Sequence, residues 1–256
     1  MRKHILAVTA AALMAGGLQA RSRDPGPPDN RQVDIGAFDR IAVAGPFVVK
    51  VRTGKAAKIS LAGPRTMLDD TELSIRDGQL IVGWQEGASW SRNGEHGVDI
   101  DITVPALREA MMAGAGSLTI DRISGDSFAA QLVSSGNVTI EDLTAKTVRA
   151  QLAGSGSLAI GRIDAQTVEV DSAGSGGMTA TGRTGKATLR LAGAGSFDNP
   201  AFIADHATII SGGSARIRAE VRTSADIQAA GSGVIQLTGG AKCTVSKLGS
   251  GEVDCR

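Results

Sequence analysis

Four groups of side chains in this sequence could carry chemistry. Glu169 and Asp171, two positions apart in VEVDS, share one face of an extended chain, and Arg149 and Arg190 stand about twenty residues to either side. Carboxylates matched with arginine can abstract protons or cleave glycosidic bonds, so a polysaccharide lyase, esterase or glycosidase is one reading. Opposite charges one repeat apart also pair across neighbouring strands and keep a surface soluble, and the sequence favours that plainer account. Trp84 and Trp90 lie in the loop-like stretch WQEGASWSRNGEHG, where exposed indoles would bind sugar faces or a partner protein, or would cover the end of a core. Gln131 and Gln151, with Ser135, Ser155 and Ser175, join Gln228, Ser232 and Thr208 in a polar surface able to hydrogen-bond a repeating glycan. A solvated strand face has the same composition. Cys243 and Cys255 make the fourth group. His96 and His206 are far from both in sequence, and no metal-ligand spacing results. The GxG elements lie between strands instead of opening helices, so they are not phosphate cradles. No metal and no cofactor are expected, and no residue is assigned as catalytic.

What must position these residues is a repeat. MAGAGSLTIDRI, LVSSGNVTIEDL, LAGSGSLAIGRI and SAGSGGMTATGR follow one another, and the series continues through LAGAGS, ISGGS, AAGSG and KLGSG. Aligned on the second glycine, the copies put Gly116, Gly136, Gly156, Gly176, Gly195, Gly213, Gly233 and Gly251 in one file, at separations of 20, 20, 20, 19, 18, 20 and 18 residues. Spacing that even over eight copies marks a solenoid. Within a copy, apolar residues alternate by twos, which is a strand signal. Val148, Ala150, Leu152, Gly154, Gly156, Leu158 and Ile160 fall on one face, and Arg149, Gln151, Ala153, Ser155, Ser157 and Ala159 on the other.

Twenty extended residues reach roughly 65 Å, enough for two strands, a tight corner and a looser turn. The stretches SGDS, TAKT and DAQT have the chemistry of that looser turn. The expected fold is all-β: a parallel β-helix solenoid with about 20 residues per coil over 106–256. Leu118, Val138, Leu158 and Met178 would stack in one interior column, with Phe128, Val148, Val168 and Ala187 in the facing one. The second glycine is expected where an inward Cβ would strike the opposite wall. Residues 33–105 read as a less regular β segment, with Asp77-Gly78 as a hairpin turn, and are expected to cap the N-terminal end. Whether they do so as coils or as a separate sheet stays open. Cys243 falls in the column of Phe128 and Cys255 in that of Ile120, so a disulfide would close the C-terminal end. The alternative is two buried thiols too far apart to bridge.

The first twenty residues have Arg2 and Lys3, a short apolar run and Ala20, the layout of a cleaved secretory signal peptide. Export to the periplasm or the cell surface is expected, with no membrane span in the mature chain. Removing residues 1–20 takes away Arg2 and Lys3 and no acid, leaving 25 basic against 26 acidic side chains. That balance argues against a nucleic-acid partner by bulk charge. Residues 21–32, rich in proline and charge, are expected to form a flexible tether.

The start VDIGAFDRIAVAGPFVVKV, the strand entering VPALREAMMAGAGS and the GSG or GAG repeats together resemble the putative auto-transporter adhesin head domain family, also called the head GIN domain. The resemblance covers about residues 33–256. It implies a right-handed β-helix of pectin-lyase-like kind, a role in adhesion, and no established catalytic residues. No outer-membrane barrel precedes Arg256, so a complete autotransporter is not expected. The functional expectation is an exported, non-enzymatic β-helix that binds an extracellular or envelope polysaccharide or a surface protein.

Overall fold

The computed structural model describes residues 24–54, 56–88 and 97–256; the expected signal peptide and Trp90 lie outside them. The fold is all-β, 75% strand and 2% helix, a solenoid of about seven turns with roughly 20 residues per turn. In chain order the first elements are β1 (Pro28–Val33), β2 (Arg40–Ala44), β3 (Val48–Thr53), β4 (Lys58–Pro64), α1 (Arg65–Asp69), β5 (Thr71–Arg76), β6 (Gln79–Trp84), β7 (Asp99–Val104) and β8 (Glu109–Ala113). The repeats form β9 (Ser117–Ser134), β10 (Asn137–Gly154), β11 (Ser157–Gly174), β12 (Gly177–Gly193), β13 (Ser196–Gly213) and β14 (Arg216–Gly231). The last coil is β15 (Val234–Thr238), β16 (Lys242–Leu248) and β17 (Glu252–Cys255).

Each repeat strand pairs in parallel with its neighbours, residue for residue one copy apart, as in Val138↔Leu158 and Val148↔Val168. Leu118, Val138, Leu158 and Met178 form one continuous register, and Phe128, Val148, Val168 and Ala187 another, all buried. The residues just after a glycine corner build one wall (the second wall), and those just before the next corner build the other (the first wall). SGDS, TAKT and DAQT do not behave as loose turns. Thr144 pairs with Ser124 and Asp164, and Ala145 with Gly125 and Ala165, so the ladder runs on between the walls. Ile123, Leu143 and Ile163 are buried there, and that inward apolar residue in each copy turns a hydrophilic link into a narrow third side.

The N-terminal segment supplies both coils and a capping sheet. β2 and β3 make one coil, stacked on one side against β8 and β9 and on the other against β6 and β7, all in parallel. The chain therefore lays its first coil, inserts a second beneath it, then returns above. At the far edge the direction changes: β5 is antiparallel to β6, and β4 is antiparallel to β7. β1 adds to β4 over Pro28–Val33, so this part of the expected tether is a paired strand. Antiparallel edges block the continued stacking that an open parallel coil would invite. Asp77 and Gly78 take φ of 50° and 75°, joining β5 to β6 by a two-residue turn whose handedness fits the strand twist.

Two files of small residues run along the corner. The first has positive φ: Gly45, Gly114, Ser134, Gly154, Gly174, Gly193, Gly213, Gly231 and Gly249. The second holds Gly116, Gly136, Gly156, Gly176, Gly195, Ala215, Gly233 and Gly251. Gly213, expected in the second file, stands instead in the first between Gly193 and Gly231, and Ala215 takes its expected place. The obstacle in the second file also differs from the expected one. A Cβ at Gly156 would lie 2.3 Å from the carbonyl oxygen of Gly136, in the coil next door, and 2.9 Å from Leu132 Cδ2. Close approach of successive backbones, more than the opposite wall, excludes the side chain. Ser134 is the one non-glycine at positive φ in the first file. Its hydroxyl accepts from Gly114 N at 2.9 Å and donates to the Gly114 carbonyl, tying the corner to the coil below.

Candidate functional site

In the first wall, outward positions recur every second residue along each strand and every coil across the stack. The Gln131 and Gln151 side chains belong to one such file, which continues through Asp171, Arg190, Ile210 and Gln228. Two residues nearer the corner, the next file reads Val133, Ala153, Ala173, Ala192, Gly212 and Ala230. Between these two files lies a shallow trough of about 510 Å3 that crosses β9 to β13. Alanine methyls and a glycine form its floor, Val133 and Ile210 stand exposed toward its two ends, and the amides and one ion pair line its rim. Five coils at about 4.8 Å apart give it a length of roughly 19 Å.

Ser135, Ser155 and Ser175 are exposed but stand at the tip of the corner, between the two glycine files, and do not line the trough. The expected single polar surface is thus divided, with an apolar file between its amides and its serines, while Thr208 lies on the amides' other side in the file of Glu169 and Thr188. The alanine of each LAG triplet carried this signal: it is outward by alternation, yet too small and apolar for an ordinary solvated position.

The acid–arginine pairs occupy the same wall. Arg149 Nε donates to Glu169 at 3.0 Å, and Arg190 approaches Asp171 at 3.3 Å. Glu169 turns toward the coil before it and Asp171 toward the coil after it, so the two carboxylates face different arginines and do not converge on one point. The pattern recurs on the third side. Asp126 meets Lys146 at 2.7 Å and Asp142 meets Arg162 at 2.6 Å, each joining adjacent coils. The hydrogen bond from Lys146 holds the Asp126 carboxyl below its usual range, and that from Arg162, aided by the Arg162 and Arg122 charges, does the same for Asp142.

Trp84 is half-buried and packs against Phe47, ring centroids 4.4 Å apart. Phe47 occupies the second-file position of the first coil, immediately before the Val48 that pairs with Ser117. The glycine file of the repeats ends here in an aromatic plug with Trp84 against it, and the β6–β7 coil beneath carries Val98 at the same position. The indole thus covers that end of the core, with part of its surface still exposed. At the other end Cys243 pairs with Ala225 and Cys255 with Leu237, and a disulfide joins them across the last coil with Cα atoms 6.6 Å apart. Among the described residues no group of three or more His, Cys, Asp or Glu side chains could hold a metal ion, and no helix is long and apolar enough to cross a membrane.

The fold is similar to that of several solved structures. A putative adhesin from Parabacteroides merdae matches with a TM-score of 0.83 at 16% identity, over 90% of this chain and 97% of that one. A putative lipid binding protein from Parabacteroides distasonis matches at 0.82 and 22% identity, over 90% and 97%. A putative adhesin from the same species matches at 0.82 and 14% identity, over 90% and 98%. No functionally curated protein matches the sequence. The family profile described as putative auto-transporter adhesin, head GIN domain, matches residues 37–241, spanning the coil of β2 and β3 and every repeat strand through β15, and the chain belongs to that family.

Proposed function

We propose that this chain is an exported, non-enzymatic adhesion module that holds an extended polysaccharide of the envelope or the extracellular space along the outer face of its first wall. The trough between the Gln131–Ile210 and Val133–Gly212 files is the observation that carries this reading. A floor of methyl groups suits the C–H faces of pyranose rings, while glutamine amides at the rim both donate to and accept from hydroxyls. The contacts recur once per coil, so a repeating polymer meets repeating partners, and individually weak contacts add along its length. The family's description as an adhesin head and the names of two structural relatives support adhesion, and the signal-like layout of residues 1–20 supports export.

A glycan array probed with the purified chain, run beside turnover assays on the same polysaccharides, tests the reading. Binding without product release is expected, weakened roughly tenfold or more by Ala173→Arg, which fills the trough from its floor. Turnover that Asp171→Asn abolishes in a folded protein would replace adhesion with catalysis. Capture by lipid vesicles but by no glycan would replace the polysaccharide with a lipid.

A further inference from the structure

Beside the trough, the next file of the first wall reads Gln79, Arg40, Glu109, Ala129, Arg149 and Glu169 across successive coils. Charges flank Ala129 on both sides, and this one residue leaves a gap. Around it lies a cavity of about 560 Å3 lined by Arg40, Arg108, Arg149, Glu109, Ser127 and Thr147, with the Phe128–Ala129 backbone as its floor. Three guanidinium groups therefore meet one carboxylate in a single notch. The chain's near-neutral total charge gives no hint of this, because the cluster is assembled from residues more than a hundred positions apart in sequence.

The donors there are only partly used. Arg108 Nε meets Asp39 at 2.8 Å, Arg149 Nε meets Glu169 at 3.0 Å, and an Arg40 terminal nitrogen donates to the Asp77 carbonyl. Arg40 Nε is 3.9 Å from Asp39, beyond hydrogen-bond reach, and is buried without a hydrogen-bond partner. Each guanidinium carries five N–H groups, of which these contacts engage one apiece, and the Arg108 and Arg149 side chains are 60% and 66% exposed and open to an incoming acceptor. Glu109 is an acceptor with the opposite need. It takes one weak bond from Gln131 Nε2 at 3.4 Å, which also links the notch to the rim of the trough. A bare inorganic anion would satisfy the arginines and be repelled by Glu109. A sugar acid satisfies both, with its carboxylate on the guanidinium donors and its hydroxyls on Glu109, Ser127 and Thr147.

We propose that the notch at Ala129 is a subsite for a uronic acid residue, so that the polymer in the adjoining trough is an acidic polysaccharide. This rests on the trough reading above for the polymer, but the notch itself can be tested alone. Free galacturonate, titrated against labelled protein, is expected to shift the Arg40 Nε–H resonance. Oligogalacturonate is expected to bind roughly tenfold or more tightly than a neutral galacto-oligosaccharide of equal length. Arg149→Gln removes a donor and Ala129→Glu fills the gap with a like charge. Both are outward substitutions, with folding checked by circular dichroism, and each is expected to erase that preference. Equal affinity for acidic and neutral oligomers, or a preference that both variants keep, overturns the proposal. Failure of the trough alone looks different: Ala173→Arg would leave oligomer binding intact while galacturonate still shifts Arg40.

Discussion

Gly156→Ala isolates the constraint that shapes the corner. No positive φ is required at Gly156, so alanine meets no backbone strain there, and only the contact matters. Its added methyl would sit 2.3 Å from Gly136 O and 2.9 Å from Leu132 Cδ2. The leucine can rotate, but the carbonyl belongs to a backbone paired on both sides, so the neighbouring coil must shift by about an ångström. Overpacking of that kind costs about 1–3 kcal/mol. Restricting the unfolded chain returns about 0.4–1 kcal/mol, which leaves a net loss of about 1.3 kcal/mol at the middle of the two ranges. For a chain of this length each kcal/mol lowers Tm by about 2–4 °C, so a fall of roughly 3–5 °C is expected. Far-UV circular dichroism through thermal and urea unfolding measures it. Ala215→Gly is the internal control: the same file, a methyl already accommodated at 0% exposure, and hence a loss from the opposite substitution. A Gly156→Ala protein as stable as the wild type, or more stable, would refute the close-approach account.

Three further perturbations act at the two ends of the solenoid and on its third side. Phe47→Ala removes the plug that ends the glycine file and should cost about 3–5 kcal/mol, with the Trp84 fluorescence moving toward that of a solvated indole. Reduction of Cys243–Cys255, which spans 12 residues, should cost the last coil about 3 kcal/mol in chain entropy. Hydrogen exchange would then quicken in β16 and β17 and leave β10 and β11 protected, whereas uniform quickening would contradict a local role. Asp126 and Asp142 have carboxyl pKa values lowered by Lys146 and Arg162, so their contribution is fully present above the ordinary aspartate value near 3.9 and is lost as pH falls below it. Asp142→Asn should therefore reduce stability at neutral pH and narrow its difference from wild type toward pH 2, as read from urea midpoints.

The repeat was legible because one physical need recurs. Alternation by twos and a glycine pair every 18 to 20 residues leave little besides stacked parallel strands, and interior columns such as Leu118–Val138–Leu158 follow from counting. The Gly213 assignment failed where the motif itself blurs: ISGGS carries its two glycines adjacent, and only the register with Gly193 and Gly231 shows which file each joins. The N-terminal coils were hidden for a different reason. β6 and β7 lie beneath β2 and β3 although they follow them in the chain, and spacing along the sequence does not encode such an inversion. The trough is half visible in the sequence, in its glutamines more than its alanines, because a small apolar residue facing outward reads as neutral until its neighbours in adjacent coils are placed beside it.

The two walls differ in breadth, and that difference decides which outer face is flat. In β10 the run paired beyond the third side covers 147–154, while the run following the corner covers only 137–140. Alternation then gives the narrow wall two outward files, among them Asn137 with Ser157 and Thr139 with Ala159, and gives the broad wall four. A chain laid along two files touches a ridge. Across four it finds a floor, a rim and, where a side chain is missing, a notch. The flat alanine strip lies directly beside the first glycine file, Ala153 next to Gly154 and Ala173 next to Gly174, so one sequence motif supplies both the tight corner and the strip along it.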